Sequence, residues 1–197
     1  MEALRRQFAC PTGWLGRVAG GLMAWANRGL NAWAVELLDL EPVDRVLEVG
    51  CGPGTGLALA LRTVDRGTVT GVDASAAMVE QAARRNRSAL RAGALSLLRA
   101  EVSRLPCAAE SFDKAFAVNA AQFWPDPIAD LREIRRVLRH HGLLVLVVQP
   151  RRLRTHAEVE EVRRRLLHQL AEAGFKVVGS ELRALRPVPA FSIVATT

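Results

Sequence analysis

Residues 46–56 read VLEVGCGPGTG, an apolar run that breaks into alternating glycines. Glycine belongs where a backbone takes positive φ or comes very close to another group. A strand that runs straight into Gly50, Gly52, Gly54 and Gly56 therefore predicts a ligand cradle at its end. The spacing narrows the ligand. A dinucleotide fold needs G-x-G-x-x-G, but Thr55 stands three residues after Gly52, and Leu57 three after Gly54. No lysine follows the loop, which excludes a phosphate-cradling P-loop. What stands here is acidic-x-Gly-x-Gly-x-Gly, led by Glu48.

Outward from this loop, strand and helix signals alternate. Arg45 to Val49 reads as a short buried strand, and a helix is expected from about Thr55 to Val64. GTVTGVD holds a second strand, after which Ser75 is the N-cap of a long helix through Met78, Val79, Ala82 and Ala83. ALSLLRAE is a third strand, and KAFAVN follows a polar loop as the fourth. Asp126-Pro127 opens a helix whose apolar stripe is Ile128, Leu131, Ile134, Val137 and Leu138. GLLVLVV is continuously apolar, as a central parallel strand buried on both faces must be. Thr155 and Glu158 form a capping box for a helix ending near Gly174, and FKVVGSEL and AFSIVAT close the chain as strands. The last two have no helix between them, so one of them is expected to run antiparallel. Repeated strand-helix alternation predicts an α/β fold: a doubly wound, mostly parallel seven-stranded sheet in a three-layer α/β/α sandwich.

Upstream, Leu15, Val18, Leu22, Ala26, Leu30, Trp33 and Leu37 recur at helical spacing. This predicts an N-terminal helical cap over residues 1–40, with the ligand-binding domain over 41–197. Arg17, Asn27 and Arg28 interrupt the run, which is too short and too polar to span a bilayer.

Composition bounds the function. A chain of 197 residues with 50% hydrophobic and 24% charged residues folds as an ordinary globular domain. The net charge is +7, and every basic residue except Lys114 and Lys176 is arginine. The arginines are spread over the helices (Arg62, Arg84, Arg132, Arg163) without interleaved aromatics, which argues against a nucleic-acid partner. Cys10, Cys51 and Cys107 form no CxxC pair, so neither a disulfide framework nor a zinc site is indicated, and a cytoplasmic setting is expected.

The motifs taken together resemble the class I methyltransferases that use S-adenosylmethionine. VLEVGCGPG is similar to that family's first motif, GVDAS with Met78 to its second, AEVSRLPCAAESFD to its third and LREIRRVLRHHGLLVLV to a later one. The resemblance implies S-adenosylmethionine as cofactor. Gly50 and Gly52 would then approach its amino-acid end and ribose, with Glu48, Cys51 and Gly54 in the same loop. Asp73, followed by Ala74, would accept from the ribose hydroxyls at the end of the second strand. Met78 would pack on the adenine, Glu101 would accept from its exocyclic amine, and the Val102 backbone would meet a ring nitrogen. Relatives commonly carry Asp where Glu101 stands. The Cys51 thiol reads as packing rather than chemistry.

Methyl transfer is an in-line displacement, in which the protein chiefly aligns donor and acceptor and excludes water. A base is needed only for a protonated nucleophile, and His156, just past the fifth strand on the active face, is the candidate. His140 and His141 are read as a turn before that strand, at the far end of the sheet, and His168 as a residue inside a helix. Asn119 joins the cofactor residues at the end of the fourth strand. Gln122, Phe123 and Trp124 follow it where the acceptor is expected, with Trp14, Trp25 or Trp33 closing the pocket from the cap or simply packing in it. The arginines of PRRLR, after the fifth strand, either attract a carboxylate or phosphate or form a solvated rim. NAAQFW differs from the Pro-Pro-aromatic motif of DNA amino-methyltransferases, and Pro106-Cys107 lies on the wrong side of the fourth strand for a cytosine C5 nucleophile, so Cys107 reads as an apolar plug. A small-molecule acceptor is favoured, its reacting atom (O, N, C or S) left open. Asp126 and Asp130 lack a third ligand for a metal. The basic N-terminal helices leave a lipid-surface substrate open. An idle cofactor-binding or interaction protein also stays open, although the intact Glu48, Gly50, Gly52 and Asp73 argue against decay. The oligomeric state is not indicated.

Overall fold

The computed structural model describes residues 27–197. Trp14 and Trp25, and most of the expected cap, lie outside them. Helix α1 (Arg28–Leu38) leads into β1 (Arg45–Val49), α2 (Thr55–Ala60), β2 (Thr68–Asp73), α3 (Ala76–Arg85), α4 (Arg87–Arg91) and β3 (Leu95–Arg99). Then come β4 (Phe112–Val118), α5 (Pro127–Val137), β5 (Leu138–Val148), α6 (His156–Glu172), β6 (Lys176–Arg183) and β7 (Ala190–Thr196). The seven strands form one sheet in the order β3-β2-β1-β4-β5-β7-β6. β1 to β5 pair in parallel, while β7 runs antiparallel to both of its neighbours. Chain order reverses between β1 and β4, so a crevice opens at the carboxyl ends of those strands.

Side chains alternate across a strand, and here both faces are buried. On one face Leu47, Ala115, Leu144 and Leu146 pack with Leu131 and Ile134 of α5 and Leu166 and Leu170 of α6. On the other, Val46, Phe116, Val145 and Val147 pack with Leu30, Trp33 and Leu38 of α1 and Leu57 of α2. Helix starts follow the caps in the sequence. Ser75 Oγ accepts the Met78 N–H at 3.4 Å, and Asp126 accepts the Ala129 N–H at 3.2 Å with Pro127 in the first turn. Thr155 and Glu158 exchange bonds of 3.2 and 2.9 Å as a capping box.

Two expectations are corrected. α2 ends at Ala60 rather than near Val64, because the backbone tightens: the Arg62 and Thr63 N–H groups reach back three residues, to Leu59 and Ala60. His140 and His141 do not precede the fifth strand but lie inside it. Leu138 leaves the helix to pair with Phe112, and pairing resumes at Lys114 with Leu143, so His140, His141 and Gly142 bulge out, with His141 at φ 61°. The bulge lies at the end of the sheet away from the crevice.

Candidate active site

β1 runs out at Val49, and the chain hooks onto β2 because the Gly50 and Cys51 N–H groups both donate to the Val72 carbonyl, at 2.8 and 3.0 Å. Gly50 takes φ 71°, and a Cβ there would lie 2.6 Å from Ala120 Cβ, so only glycine lets the loop close against the end of β4. Gly52, at φ 50°, has nothing within 4 Å of where its Cβ would stand, and its bare face opens on a cavity of about 580 Å³.

Asp73 ends β2 on the rim of this cavity. Its two oxygens are fixed by backbone donors, Oδ2 by the Gly52 N–H at 2.9 Å and Oδ1 by the Ser75 N–H at 2.8 Å. Burial pushes its carboxyl above the usual range, the two N–H bonds pull it back, and the charge of Glu101 adds to the rise. Glu48 is buried deeper, at 2% exposure. Burial drives its carboxyl well up, opposed by the Leu57 N–H and reinforced by the charge of Asp73. Glu48 Oε2 and Thr55 Oγ1 are buried without a hydrogen-bond partner among the described residues, and both residues line the cavity. Asn27 and Asn31 line the same end; sequence reading did not pick out Asn31, whose signal is a polar residue among Leu30, Trp33 and Ala34 on the buried face of α1.

Met78, 2% exposed, lines the cavity with Ala74, Glu101, Val102 and Ser103. Glu101 is exposed and starts a short 3₁₀ turn that holds the buried Val102. Phe123, Trp124 and Pro125 also line the cavity. Asn119 also lines it, at φ 53°, with its carboxamide already engaged: the oxygen accepts the Gln149 N–H at 2.7 Å, and the nitrogen donates to Asn27 Oδ1 at 3.0 Å. Cys51 contributes backbone, while its thiol packs in the core with Leu57 and Val69.

Other expected residues stand elsewhere. Gly54 is not among the cavity-lining residues and faces helix α3, where a Cβ would collide with Asn86 and Ala82 at 2.6 and 2.9 Å, so packing requires glycine there. Gln122 is exposed on the outer side of its turn and does not line the cavity. His156 is exposed in the first turn of α6, beside the capping box, and also lies off the cavity. Trp14 lies outside the described residues. Asp126 is engaged as a helix cap, Asp130 is buried, and among the described residues no three acidic, histidine or cysteine side chains gather as a metal site.

Residues 47–146 match the family described as Methyltransferase domain. The chain belongs to the methyltransferase family. It is 29% identical over 171 residues to the uncharacterized methyltransferase YdaC of Bacillus subtilis (strain 168), covering 86% of this chain and 92% of that one. Two other curated relatives are longer, and the chain spans 34% of their length. A SAM-dependent methyltransferase from Aquifex aeolicus shares the fold at TM-score 0.69 and 22% identity, over 84% of this chain and 88% of that one. The [4+2]-cyclase SpnF shares it at TM-score 0.73 and 18% identity, over 95% and 84%.

S-adenosylmethionine is the cofactor of this methyltransferase, and the donor set fits it. The unpartnered Glu48 oxygen suits an ammonium and the unpartnered Thr55 hydroxyl a carboxylate, the two charged groups of a methionine. The bare Gly52 face leaves room beside them, and the clamped Asp73 carboxylate keeps lone pairs for a ribose diol.

Proposed function

We propose that this methyltransferase acts on a small-molecule acceptor by in-line displacement. The observation that supports this reading is one cavity lined both by Glu48 and Thr55, whose buried polar atoms lack partners among the described residues, and by the aromatic residues Phe123 and Trp124. When bound, S-adenosylmethionine supplies an electrophilic methyl group on a sulfonium sulfur. Glu48 and Thr55 hold its amino-acid end, Asp73 its ribose, and Met78, Glu101 and Val102 its adenine. Phe123 and Trp124 shield the acceptor from water, and Asn119 keeps the end of β4 aligned through its bonds to Gln149 and Asn27. His156 has no part in this proposal. The helical cap of residues 1–40 belongs to it, supported by Asn27 and Asn31 at the cavity, as does a cytoplasmic setting. No helix among the described residues is long and apolar enough to cross a membrane.

Calorimetric titration of S-adenosylmethionine and S-adenosylhomocysteine into wild type, Asp73→Asn and Asp73→Ala tests the assignment. Asp73→Ala removes two loop anchors and the ribose acceptor, and is expected to weaken binding by at least about tenfold. Asp73→Asn keeps one acceptor oxygen and should lie between. Equal affinity in all three, or no binding to folded wild type, would sink it.

A further inference from the structure

Between β3 and β4 the chain crosses in a loop, residues 100–111, of which Ala100, Glu101, Val102 and Ser103 line the cofactor cavity. This stretch does little to hold itself. Its 3₁₀ turn closes with the Arg104 N–H on the Glu101 carbonyl at 3.2 Å, and the Ala100 N–H donates to the Asp73 carbonyl at 3.2 Å. A firmer anchor comes from α5, which packs on the turn.

Glu133 and Arg136 stand three residues apart on α5 and so share a face. They pair fork to fork, Arg136 Nε with Glu133 Oε2 and Arg136 Nη2 with Glu133 Oε1, both at 2.8 Å. Each also reaches the loop backbone. Glu133 Oε1 accepts the Leu105 N–H at 2.9 Å, and Arg136 Nη2 is shared with the Leu105 and Cys107 carbonyls at 3.3 and 3.0 Å. The Arg136 carbonyl in turn accepts the Glu110 N–H at 3.0 Å. Leu105 is thus gripped at both its N–H and its carbonyl, two residues beyond Ser103, while its side chain sits in the core with Val102, Leu131 and Ile134. The hydrogen bond from Arg136 holds the Glu133 carboxyl below its usual range, against the burial that raises it and with help from the Leu105 N–H. A fork-to-fork pair fixes both long side chains, so their further bonds to the loop need little extra ordering. Neither residue lines the cavity.

We infer that Glu133 and Arg136 are positioning residues for adenine recognition: their pair fixes the turn of Glu101 to Ser103 at which the base is read. This rests on the proposed placement of adenine against Glu101 and Val102. There the carboxylate answers an exocyclic amine and a backbone N–H answers a ring nitrogen, an order of acceptor and donor that a displacement of about 1 Å would spoil.

The experiment compares the Kd of S-adenosylhomocysteine with that of S-inosylhomocysteine, in which an oxo group replaces the exocyclic amine and the facing ring nitrogen carries a hydrogen. Both contacts are then reversed. The quantity followed is the ratio of the two Kd values, because a variant that merely loosens the fold weakens both ligands alike. Wild type is expected to favour S-adenosylhomocysteine by at least about tenfold. In Glu133→Ala and in Arg136→Met the preference should fall to within about threefold of unity. The milder Glu133→Gln and Arg136→Lys, which keep an acceptor and a charge respectively, should lie between, and they carry the test if either of the first two fails to fold by circular dichroism. Arg135→Ala removes a bond of 3.1 Å from the same helix to the Gly174 carbonyl, and should keep the wild-type ratio. A wild-type ratio in either Glu133→Ala or Arg136→Met, or an equal fall in Arg135→Ala, would overturn the inference. Absence of any preference in wild type would instead overturn the placement of adenine at this turn, and the role of the pair with it.

Discussion

At the scale of single residues, Glu48 carries the sharpest consequence. Burial raises its carboxyl well above the ordinary range, so the folded apoprotein keeps a proton that the unfolded chain gives up near pH 4. Apoprotein stability therefore falls as pH rises from the unfolded pKa toward the folded one, and above the folded pKa the buried charge is carried in full. An ammonium placed against the unpartnered Oε2 reverses this by favouring the ionised form. Cofactor binding below the folded pKa should then release a proton, visible as a binding enthalpy that changes with the ionisation enthalpy of the buffer. Glu48→Gln keeps the shape without the charge. It is expected to hold or raise apoprotein stability at pH 8, to abolish the proton release, and to weaken cofactor binding by about 10- to 100-fold. Unchanged affinity would remove Glu48 from the ligand set.

At the scale of elements, the end of the sheet opposite the cavity is tied by Asp113 of β4. It accepts the Arg45 N–H at 2.6 Å and pairs with Arg45 of β1 and Arg139 of β5, both at 3.0 Å. Burial pushes its carboxyl up, but the hydrogen bonds and charge of Arg45, with the charge of Arg139, outweigh this and hold it below the usual range. The sign is opposite to that of Glu48: this stability is present above the unfolded pKa and lost as pH falls through the folded one. Asp113→Asn should cost about 1–2 kcal/mol at pH 7, a figure discounted for the exposed arginines, and much less near pH 2. Urea melts at the two pH values check it, and an equal loss at both would assign the effect to packing. Elements were legible where their signals are local. Ser75, Asp126 and Thr155 cap helices by bonding N–H groups within three residues, and the apolar run of β5 declares burial on both faces. The bulge at His140 to Gly142 was not legible, because it is set by pairing with β4. In the site, Glu48 and Asp73 were legible as acids at strand ends. The packing at Gly54 was not legible because Asn86, against which it lies, comes from the junction of two later helices, nor was the exposure of His156, because the course of the chain after β5 is set by contacts distant in sequence.

At the scale of the whole molecule, the cofactor cavity is assembled from distant segments: Asn27, Glu48, Asp73, Glu101 and Asn119 meet only when α1, β1, β2, the turn after β3 and β4 are all in place. A ligand that touches all of them binds the folded state and not the unfolded chain, so its binding energy adds to global stability. At a free concentration a hundred times its Kd, S-adenosylhomocysteine should add about 2.7 kcal/mol. For a domain of this size each kcal/mol raises Tm by roughly 2–4 °C, which gives an expected rise of about 5–10 °C. The rise should vanish in Asp73→Ala at the same ligand concentration if that variant no longer binds. Hydrogen exchange sharpens the point: protection should increase together in α1, in the loop after β1 and in the turn at Glu101 to Ser103, since one ligand bridges them. If calorimetry shows saturation while Tm stays fixed, the ligand sits on a surface that does not bridge these segments, and the placement of the cofactor across the ends of β1, β2 and β4 would have to be abandoned.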